Sequence, residues 1–426
     1  VRTFTIIWCG QLVSTVGSYM TEFALILWAW QTTGSATALA LVAFFSRLLR
    51  IPLTLIAGLI VDGYNRKTLM MIADAVSMLC TSAIAILYFT HHLQIWHLYL
   101  TAAINGGASQ IQSLAYQTSL TLLVPRQHYV RANSMNSSVH YGSTVLAPAL
   151  AGILFPWIGL SGILVIDWLT FGWAIATLLV VRIPQPEQQS PVALNALIQN
   201  LNSSLAQVWN QPSLRLLLVL TTVFWFVHDL GEAIYDPMIL ARTNGSAQVL
   251  ASTAIAAGVG GVIGAIVLSV WGGFPSRIRS LLMSFIGAGL SKTIFGLGQS
   301  PVVWIPAQFC SSLNFPLMDS SETAIWMEKI PPAIQGRIFA ANAFVVQGAT
   351  AIATLIAGPL AERVFEPLFL PEGLLAKIFG RVMGDRPGAG MSFLYILCAL
   401  TIVLVGVVGF NLPKLRTIEK TSIDEK

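Results

Sequence analysis

The sequence predicts an all-α integral membrane protein of twelve transmembrane helices in two six-helix bundles. Three observations carry this. Hydrophobic residues make up 55% of the 426 residues and charged residues only 10%, against roughly a quarter charged in soluble domains. The mean hydropathy is +0.73. The apolar residues gather in runs near or above the ~20 residues that a helix needs to cross hydrocarbon, and arginines and lysines flank these runs on alternate sides. The runs show no alternation of period two, which argues against a transmembrane β-barrel.

The spans are expected at 4–31, 36–61, 69–90, 95–123, 132–156, 160–182, 214–241, 248–273, 279–299, 302–328, 337–361 and 391–412. The first begins at Phe4, runs past signal-peptide length and has no small-residue cleavage site, so it reads as a retained helix. Cys9, Cys80, Cys310 and Cys398 all fall inside spans. They read as small buried apolar residues rather than a disulfide framework. With the chain's first residues in the cytoplasm, fifteen Arg and Lys residues face the cytoplasm, against five outside: Arg242, Arg363, Lys377, Arg381 and Arg386. That bias sets the orientation, with both termini cytoplasmic in the cell's inner (plasma) membrane. The net charge of +5 is then a topology signal and not a nucleic-acid footprint.

The polar stretch from Pro184 to Pro212 divides the chain into a bundle at 1–184, a cytoplasmic linker at 185–212 and a bundle at 213–426. An amphipathic piece around Leu194–Trp209 can lie along the membrane surface, with Trp209 at the interface. The bundles echo one another. Gly34-Ser35-Ala36 corresponds to Gly245-Ser246-Ala247, and Val124-Pro125 with Arg131 to Ile330-Pro331 with Arg337. Arg66 and Arg277 each follow the second span of a half. Two halves related by a parallel repeat are the architecture of a transporter class that binds substrate near the midplane.

Ionisable groups inside hydrocarbon are costly and are functional candidates. Arg47 and Arg50, Asp229 and Glu232, and Asp319 and Glu322 are pairs three residues apart, so each pair shares one helix face. Glu22, Asp167 and Lys292 are single, and Lys292 reads as snorkelling. Counted from the turn at Thr33, Glu22 and Arg47 lie within roughly 5 Å of the same depth at the rise of an α-helix. They are the expected ion pair, with Arg50 the next choice. Asp236 reads as solvated near the outer surface. His91, His92 and His97 crowd a short outer loop, but nothing nearby supplies a fourth ligand, so no metal site is read there. No cofactor is expected.

The turn after the second span reads Gly58-Leu59-Ile60-Val61-Asp62-Gly63-Tyr64-Asn65-Arg66-Lys67. Asp62 sits at a helix C-terminus, where the macrodipole disfavours an anion. Its positive partner is Arg66, Arg337 or the N-terminal end of a neighbouring helix. This loop resembles the signature of the major facilitator superfamily, Gly-x-x-x-Asp-Arg-x-Gly-Arg-Arg/Lys, with Gly58, Asp62, Arg66 and Lys67 matching. Gly63 replaces the first basic residue. Asn65 replaces the glycine, whose left-handed turn Asn can also adopt. Gly34-Ser35-Ala36-Thr37, Ile72-Ala73-Asp74, Leu123-Val124-Pro125, Arg131-Ala132-Asn133, Ile166-Asp167 and Gly358-Pro359-Leu360-Ala361-Glu362 are similar to the macrolide-efflux-like branch of drug/proton antiporters. So is the external segment 363–390. The likeness covers essentially the whole chain.

The resemblance implies the major facilitator fold and a conformational latch of Gly58, Asp62, Arg66, Lys67, Asp74 and Arg337, with Asp62 docked against the eleventh span and the Arg66 side reaching Asp74. It implies a cavity lined by the first, fourth, seventh and tenth spans. That places Glu22, Asn105, Gln110, Ser113, Tyr116, Gln117, His228, Asp229, Glu232, Asn314, Asp319 and Glu322 on lining helices. Ser, Asn and Gln in the fourth span can equally be interhelical glue, and Asp319 and Glu322 can equally form an inner gate. Among aromatics, Phe23, Tyr116, Phe224, Trp225 and Phe226 are candidates to stack an apolar substrate, while Trp28 and Trp30 read as interfacial anchors. A carboxyl group whose surroundings alternate between hydrocarbon and water can take up a proton on one side and release it on the other. Glu22 and Asp229 are the expected proton-coupling residues, with Glu232 third. Two departures from the pattern stand out. The fifth span carries Ala147-Pro148 where proton-coupled exporters carry Gly-Pro. The second-half loop Gly272-Gly273-Phe274-Pro275-Ser276-Arg277 lacks the acid.

The implied function is proton-coupled export of amphipathic, drug-like organic compounds by alternating access. The alternative is a carrier for a native metabolite such as a siderophore or lysophospholipid. The expected partners are a small-molecule substrate, protons and the lipid bilayer, with the protein a monomer. An intramembrane enzyme is disfavoured, since the chain has no His-Glu-x-x-His, Gly-x-Ser-x-Gly or phosphate-binding Gly-x-x-x-x-Gly-Lys-Ser/Thr loop.

Overall fold

The computed structural model describes residues 2–125, 129–181, 183, 194–370, 373–384 and 386–416. All regular structure among them is helical. In chain order the helices are α1 (Arg2–Thr33), α2 (Ala36–Leu48), α3 (Arg50–Gly63), α4 (Arg66–Phe89), α5 (Ile95–Leu123), α6 (Tyr129–Val180), α7 (Leu194–Asn210), α8 (Pro212–Arg242), α9 (Ala247–Trp271), α10 (Arg277–Leu297), α11 (Pro301–Ser312), α12 (Phe315–Lys329), α13 (Pro332–Leu360), α14 (Glu366–Leu368), α15 (Leu374–Met383), α16 (Ala389–Asn411) and α17 (Pro413–Arg416). A π-helical turn, Ala361–Phe365, joins α13 to α14.

Nine helical stretches among the described residues are long and apolar enough to cross a membrane. One of them, Gly142–Val180, holds two expected spans, separated where Gly159 takes a left-handed φ of 63°. The expected fourth and tenth spans, α5 and α11–α12, fall outside this set. Both carry many Asn, Gln, Asp and Glu residues, and the tenth is also divided into helices of 12 and 15 residues, each too short to cross alone.

The chain forms two compact units. The first is Val1–Gly34, Leu41–Leu194 and Ser246–Ile255; the second is Ser35–Ala40, Asn195–Gly245 and Ala256–Lys426. Thus Ser35–Ala40 and Ser246–Ile255, the first turns of α2 and α9, group differently from a simple division of the chain into successive bundles. Helix α7 belongs to the second unit. Trp209 near its end is exposed, with the Arg215 guanidinium 5.6 Å from its ring centroid.

Local chemistry explains the repeated motifs. Gly34 and Gly245 end their helices at φ values of 58° and 79°, a region that suits glycine. The next residue caps the following helix: Ser35 Oγ accepts the Ala38 N–H at 3.1 Å and Ser246 Oγ the Val249 N–H at 3.3 Å. Val124 and Ile330 are both extended, as a residue before proline prefers. Asn65 departs from expectation. It lies at φ −63° and ψ 116° and accepts the Thr68 N–H at 3.1 Å. It is therefore an N-cap for α4 and not a left-handed turn residue.

In two expected single spans the hydrogen-bond ladder is interrupted, at Leu49 in the second and at Leu313–Asn314 in the tenth, while these residues keep helical dihedrals. Pro52 and Pro316 follow the interruptions and remove the N–H groups that residues 48 and 312 would otherwise accept. Each interruption is met by glycines of a neighbouring helix. A Cβ on Gly106 of α5 would strike the Ser46 carbonyl, and one on Gly260 or Gly264 of α9 the Phe309 or Leu313 carbonyl. Small residues let the backbones approach this closely.

In the first unit, Phe4, Ile7, Met70, Leu120 and Leu178 anchor the core, and Gly10 and Gly17 of α1 sit against Thr177 and Thr170 of α6. In the second, Leu217, Phe224, Leu281, Phe285, Trp326 and Ile402 do so. Phe224 is fully buried and stacks on Phe285, with ring centroids 4.1 Å apart. That makes it a core residue and removes it from the substrate-stacking candidates. Cys80 and Cys398 are buried, but Cys9 and Cys310 are exposed, which corrects their reading as core.

Candidate functional site

In the first unit, α1, α3 and α5 bring four polar side chains together near mid-span. Arg50 Nε donates to Gln110 Oε1 at 3.1 Å, and Tyr19 lies within electrostatic reach of both Glu22 and Arg50. Glu22 is exposed. No ion pair joins Glu22 to Arg47 or Arg50 among the described contacts, which differs from the expected pairing. Equal depth did not bring the two helix faces together: Arg50 turns toward α5, and Arg47 is half-buried with polar contacts of its own. Along α5, Ser109, Ser113 and Gln117 are exposed at intervals of four, which places them on one face. Gln117 Nε2 donates to Ser113 Oγ at 3.1 Å. Asn105 Oδ1 and the Tyr116 hydroxyl are buried and make no hydrogen bond among the described residues.

A second cluster in this unit surrounds Asp74, which is 1% exposed. Gln112 Nε2 donates to Asp74 Oδ1 and also to Gln11 Oε1, at 3.1 Å in the latter case. The sequence expected Arg66 to reach Asp74. Instead Arg66 Nη1 donates to the Thr118 carbonyl of α5 at 2.8 Å. Lys67 Nζ donates to the Val181 carbonyl at 2.7 Å, just past the end of α6, where a cation complements the helix dipole. Gly58 lies within α3 with open space where a Cβ would stand. The Asp62 side chain lies outside the described residues, and Arg337 is exposed. Asp167, also buried, accepts from Thr81 Oγ1 at 3.0 Å and Ser18 Oγ at 3.4 Å. It ties α6 to α4 and α1.

The second unit handles its charges differently. Lys292 is 3% exposed, so it does not snorkel. Its Nζ lies 3.5 Å from Glu232 Oε2 and donates to the Tyr395 hydroxyl at 3.2 Å. Sequence reading missed this triad because its members come from α10, α8 and α16. The signal was available, since a lone lysine fifteen residues into an apolar helix needs a buried partner. His228 Nδ1 lies 3.2 Å from Asp229 Oδ1, and both are buried. The His228 ring meets Trp225 and Phe315 at 5.4 and 5.1 Å between centroids. Asp236 is half-buried with polar contacts, not simply solvated. Asn314 Nδ2 donates to the Cys310 carbonyl at 2.8 Å and so steadies the interruption between α11 and α12. Asp319 is exposed, while Glu322 is half-buried near Thr221, Trp326 and Asn342.

The loop arginines repeat across the units. Arg66 grips the Thr118 carbonyl, five residues before the end of α5. Arg277 Nη1 donates to the Ala324 carbonyl at 3.3 Å, five residues before the end of α12. Arg277 also pairs with Glu328, so the acid missing from its own loop is supplied by α12.

A sequence model of the Major Facilitator Superfamily matches residues 7–364. The chain belongs to this superfamily. As a major facilitator protein it is a multi-pass membrane transporter of small molecules and not an enzyme. It is 26% identical to Macrolide efflux protein A of Streptococcus pyogenes over 85% of this chain and 90% of that one. It is 23% identical to the multidrug efflux pump Tap of Mycolicibacterium fortuitum over 97% and 96% of the two chains. Among solved structures, the nucleoside transporter NupG superimposes with a TM-score of 0.70 at 12% identity, covering 96% of this chain and 98% of that one. A bacterial homologue of the iron transporter ferroportin does so with 0.70 at 14% identity and the same coverage. At such identities these two structures speak for the fold alone. The two breaks in the helical hydrogen-bond ladder lie beside Arg47, Arg50 and Asn314.

Proposed function

We propose that this major facilitator protein exports amphipathic organic compounds in exchange for protons, by alternating access between two bundles. The single observation that supports this most is Glu22: an exposed acidic residue in the middle of a membrane span, in electrostatic contact with Tyr19 and with no cation bonded to it among the described contacts. An ionised group facing hydrocarbon is costly, so such a carboxylate belongs on a water-accessible wall, where it can load and release a proton. Asp229 beside His228 is the counterpart in the second unit. Glu232 stands third and is held by Lys292. The similarity to macrolide and multidrug efflux proteins supports a large apolar cargo. The exposed Ser113–Gln117 pair, Gln110, Asn105, Trp225, Asn314, Asp319 and Glu322 supply the polar and aromatic contacts, while Tyr116 is packed in the first unit's core.

Under this reading the protein works as a monomer in the cell's inner membrane with both termini cytoplasmic, and the Asp62–Arg66–Lys67 loop, with Arg337, latches one conformation. The test is substrate-induced proton flux in proteoliposomes across a panel of macrolides, cationic dyes, siderophores and lysolipids. Flux with the first two classes is expected. Flux confined to siderophores or lysolipids replaces export of drugs by carriage of a metabolite.

A further inference from the structure

Between α13 and α16 the chain builds α15, a ten-residue helix with three distinct faces. Leu375, Phe379 and Met383 are spaced by four; Leu375 and Met383 join a small core with Phe369, Phe393, Ala389 and Ile396, and the partly exposed Phe379 ring lies tilted beside Phe393, 5.2 Å between centroids. Leu374, Ile378 and Val382, also spaced by four, point outward and are 66%, 62% and 51% exposed. Lys377 and Arg381 form the third face and are exposed. At 100° per residue the outward apolar strip lies between the packed face and the basic face. A soluble surface helix shows solvent a polar face. This one shows an apolar strip edged by cations, the pattern of a helix lying in a membrane interface.

The C-terminal end of α15 is pinned. Arg242, at the end of α8, donates from Nη2 to the Met383 carbonyl at 2.9 Å, from Nη1 to the Gly298 carbonyl at 3.1 Å and from Nε to the Gly388 carbonyl at 3.4 Å. Two of the five guanidinium hydrogens remain beyond these bonds. Beside it opens a pocket of about 360 Å³ lined by Arg242, Gln299, Met383, Gly384 and Arg386. Among the described residues the lining thus holds two guanidinium groups and an amide; Asp385, between Gly384 and Arg386, lies outside the described residues. The acid in electrostatic contact with Arg242 is Glu366. Its Oε1 accepts the Met391 N–H at 2.9 Å, and it does not line the pocket.

We infer that this corner binds an anionic phospholipid, with the phosphate headgroup in the Arg242–Arg386–Gln299 pocket and the acyl chains along Leu374, Ile378 and Val382. Two features commit the site to lipid rather than to a soluble anion. The flanking spans also carry exposed apolar residues, Ile352 and Ile356 on α13 and Leu397, Leu400 and Leu404 on α16. The cations of α15 border that strip, where headgroups meet acyl chains. The site follows the eleventh span, so in the orientation set by the arginine bias the lipid belongs to the outer leaflet. The inference does not depend on what the protein transports.

The experiment uses the full chain in nanodiscs of phosphatidylcholine, with and without phosphatidylglycerol. It reads retained lipid by native mass spectrometry and the unfolding temperature. Phosphatidylglycerol is expected to be retained and to raise the unfolding temperature. Removing one exposed charge, Arg386→Gln, is expected to weaken retention about fivefold, from about 1 kcal/mol per basic residue at an anionic surface. The triple variant Lys377→Gln, Arg381→Gln, Arg386→Gln is expected to weaken it about a hundredfold on the same scale. Arg386→Lys is expected to keep most of the retention, and Ile378→Asn to weaken it at unchanged charge. All four positions are outward-facing, so the variants should unfold at the wild-type temperature in phosphatidylcholine alone. Retention unchanged in the triple variant overturns the inference. So does an equal rise in unfolding temperature from inorganic phosphate in phosphatidylcholine nanodiscs, which would leave a free-anion site.

Discussion

In the first unit Asp74 and Asp167 are buried among amides and hydroxyls, and no cation bonds either one among the described contacts. In the second, Lys292 is buried against Glu232 and Tyr395, and Arg277 holds Glu328. The frame is the same in both: a Gly-Ser-Ala turn, an arginine gripping the carbonyl five residues from the end of a half's fourth span, and a helix interruption met by glycines. What differs is how charge is satisfied. Neutral donors serve a carboxyl group whether or not it carries a proton, so such a site tolerates a change of protonation. A buried ammonium beside a carboxylate depends on that carboxylate staying charged. The repeat therefore carries the architecture, and each half is free to specialise its polar interior.

This comparison can be broken at several points. The largest effect is expected where the halves agree. Gly106→Val and Gly264→Val each force a side chain onto a backbone carbonyl, at a cost of about 3 kcal/mol, the upper range for overpacking. Both should lower the unfolding temperature in detergent to a similar degree, and a loss confined to one would show that the two interruptions are not equivalent.

Next comes the charge pair. Glu232→Gln leaves Lys292 buried with Tyr395 as its remaining partner. Because the Glu232 side chain is 43% exposed, the cost is discounted to about 1–2 kcal/mol. Adding Lys292→Met should recover most of it, as a double-mutant cycle would report.

The loop arginines sharpen the contrast. Arg66→Gln should cost about 1–2 kcal/mol, since a buried charged donor leaves the Thr118 carbonyl. Arg277→Gln should cost under about 1 kcal/mol, because its side chain is 48% exposed. Smallest of all is Asp74→Asn. The amide oxygen still accepts from Gln112, and the change should be within about 0.5 kcal/mol, the scale of a substitution that breaks no interaction. A large loss there would mean that Asp74 depends on a charge partner.

Much of this was legible in the sequence, for a physical reason. A bilayer forces backbone groups to bond within their own helix, so apolar run length and the placement of Gly34, Gly245, Pro125 and Pro331 delimit the spans with little help from tertiary contacts. Side-chain pairing was less legible. Glu22 and Arg47 matched in depth, but depth does not fix the rotation of a helix about its axis. Arg50 went to Gln110, and Arg66 went to a carbonyl rather than to Asp74. From sequence alone Lys292 reads as snorkelling, because its partners lie 60 and 103 residues away. Asn65 tolerates αL, yet its capping oxygen decides the conformation.

The central claim is that intramembrane carboxylates couple cargo to protons. The most direct test is proton flux in proteoliposomes on addition of a macrolide, comparing the wild type with Glu22→Gln and Asp229→Asn. The account predicts substrate-induced flux in the wild type and its loss in at least one variant that still binds substrate. Transport whose pH dependence is unchanged in both variants contradicts it.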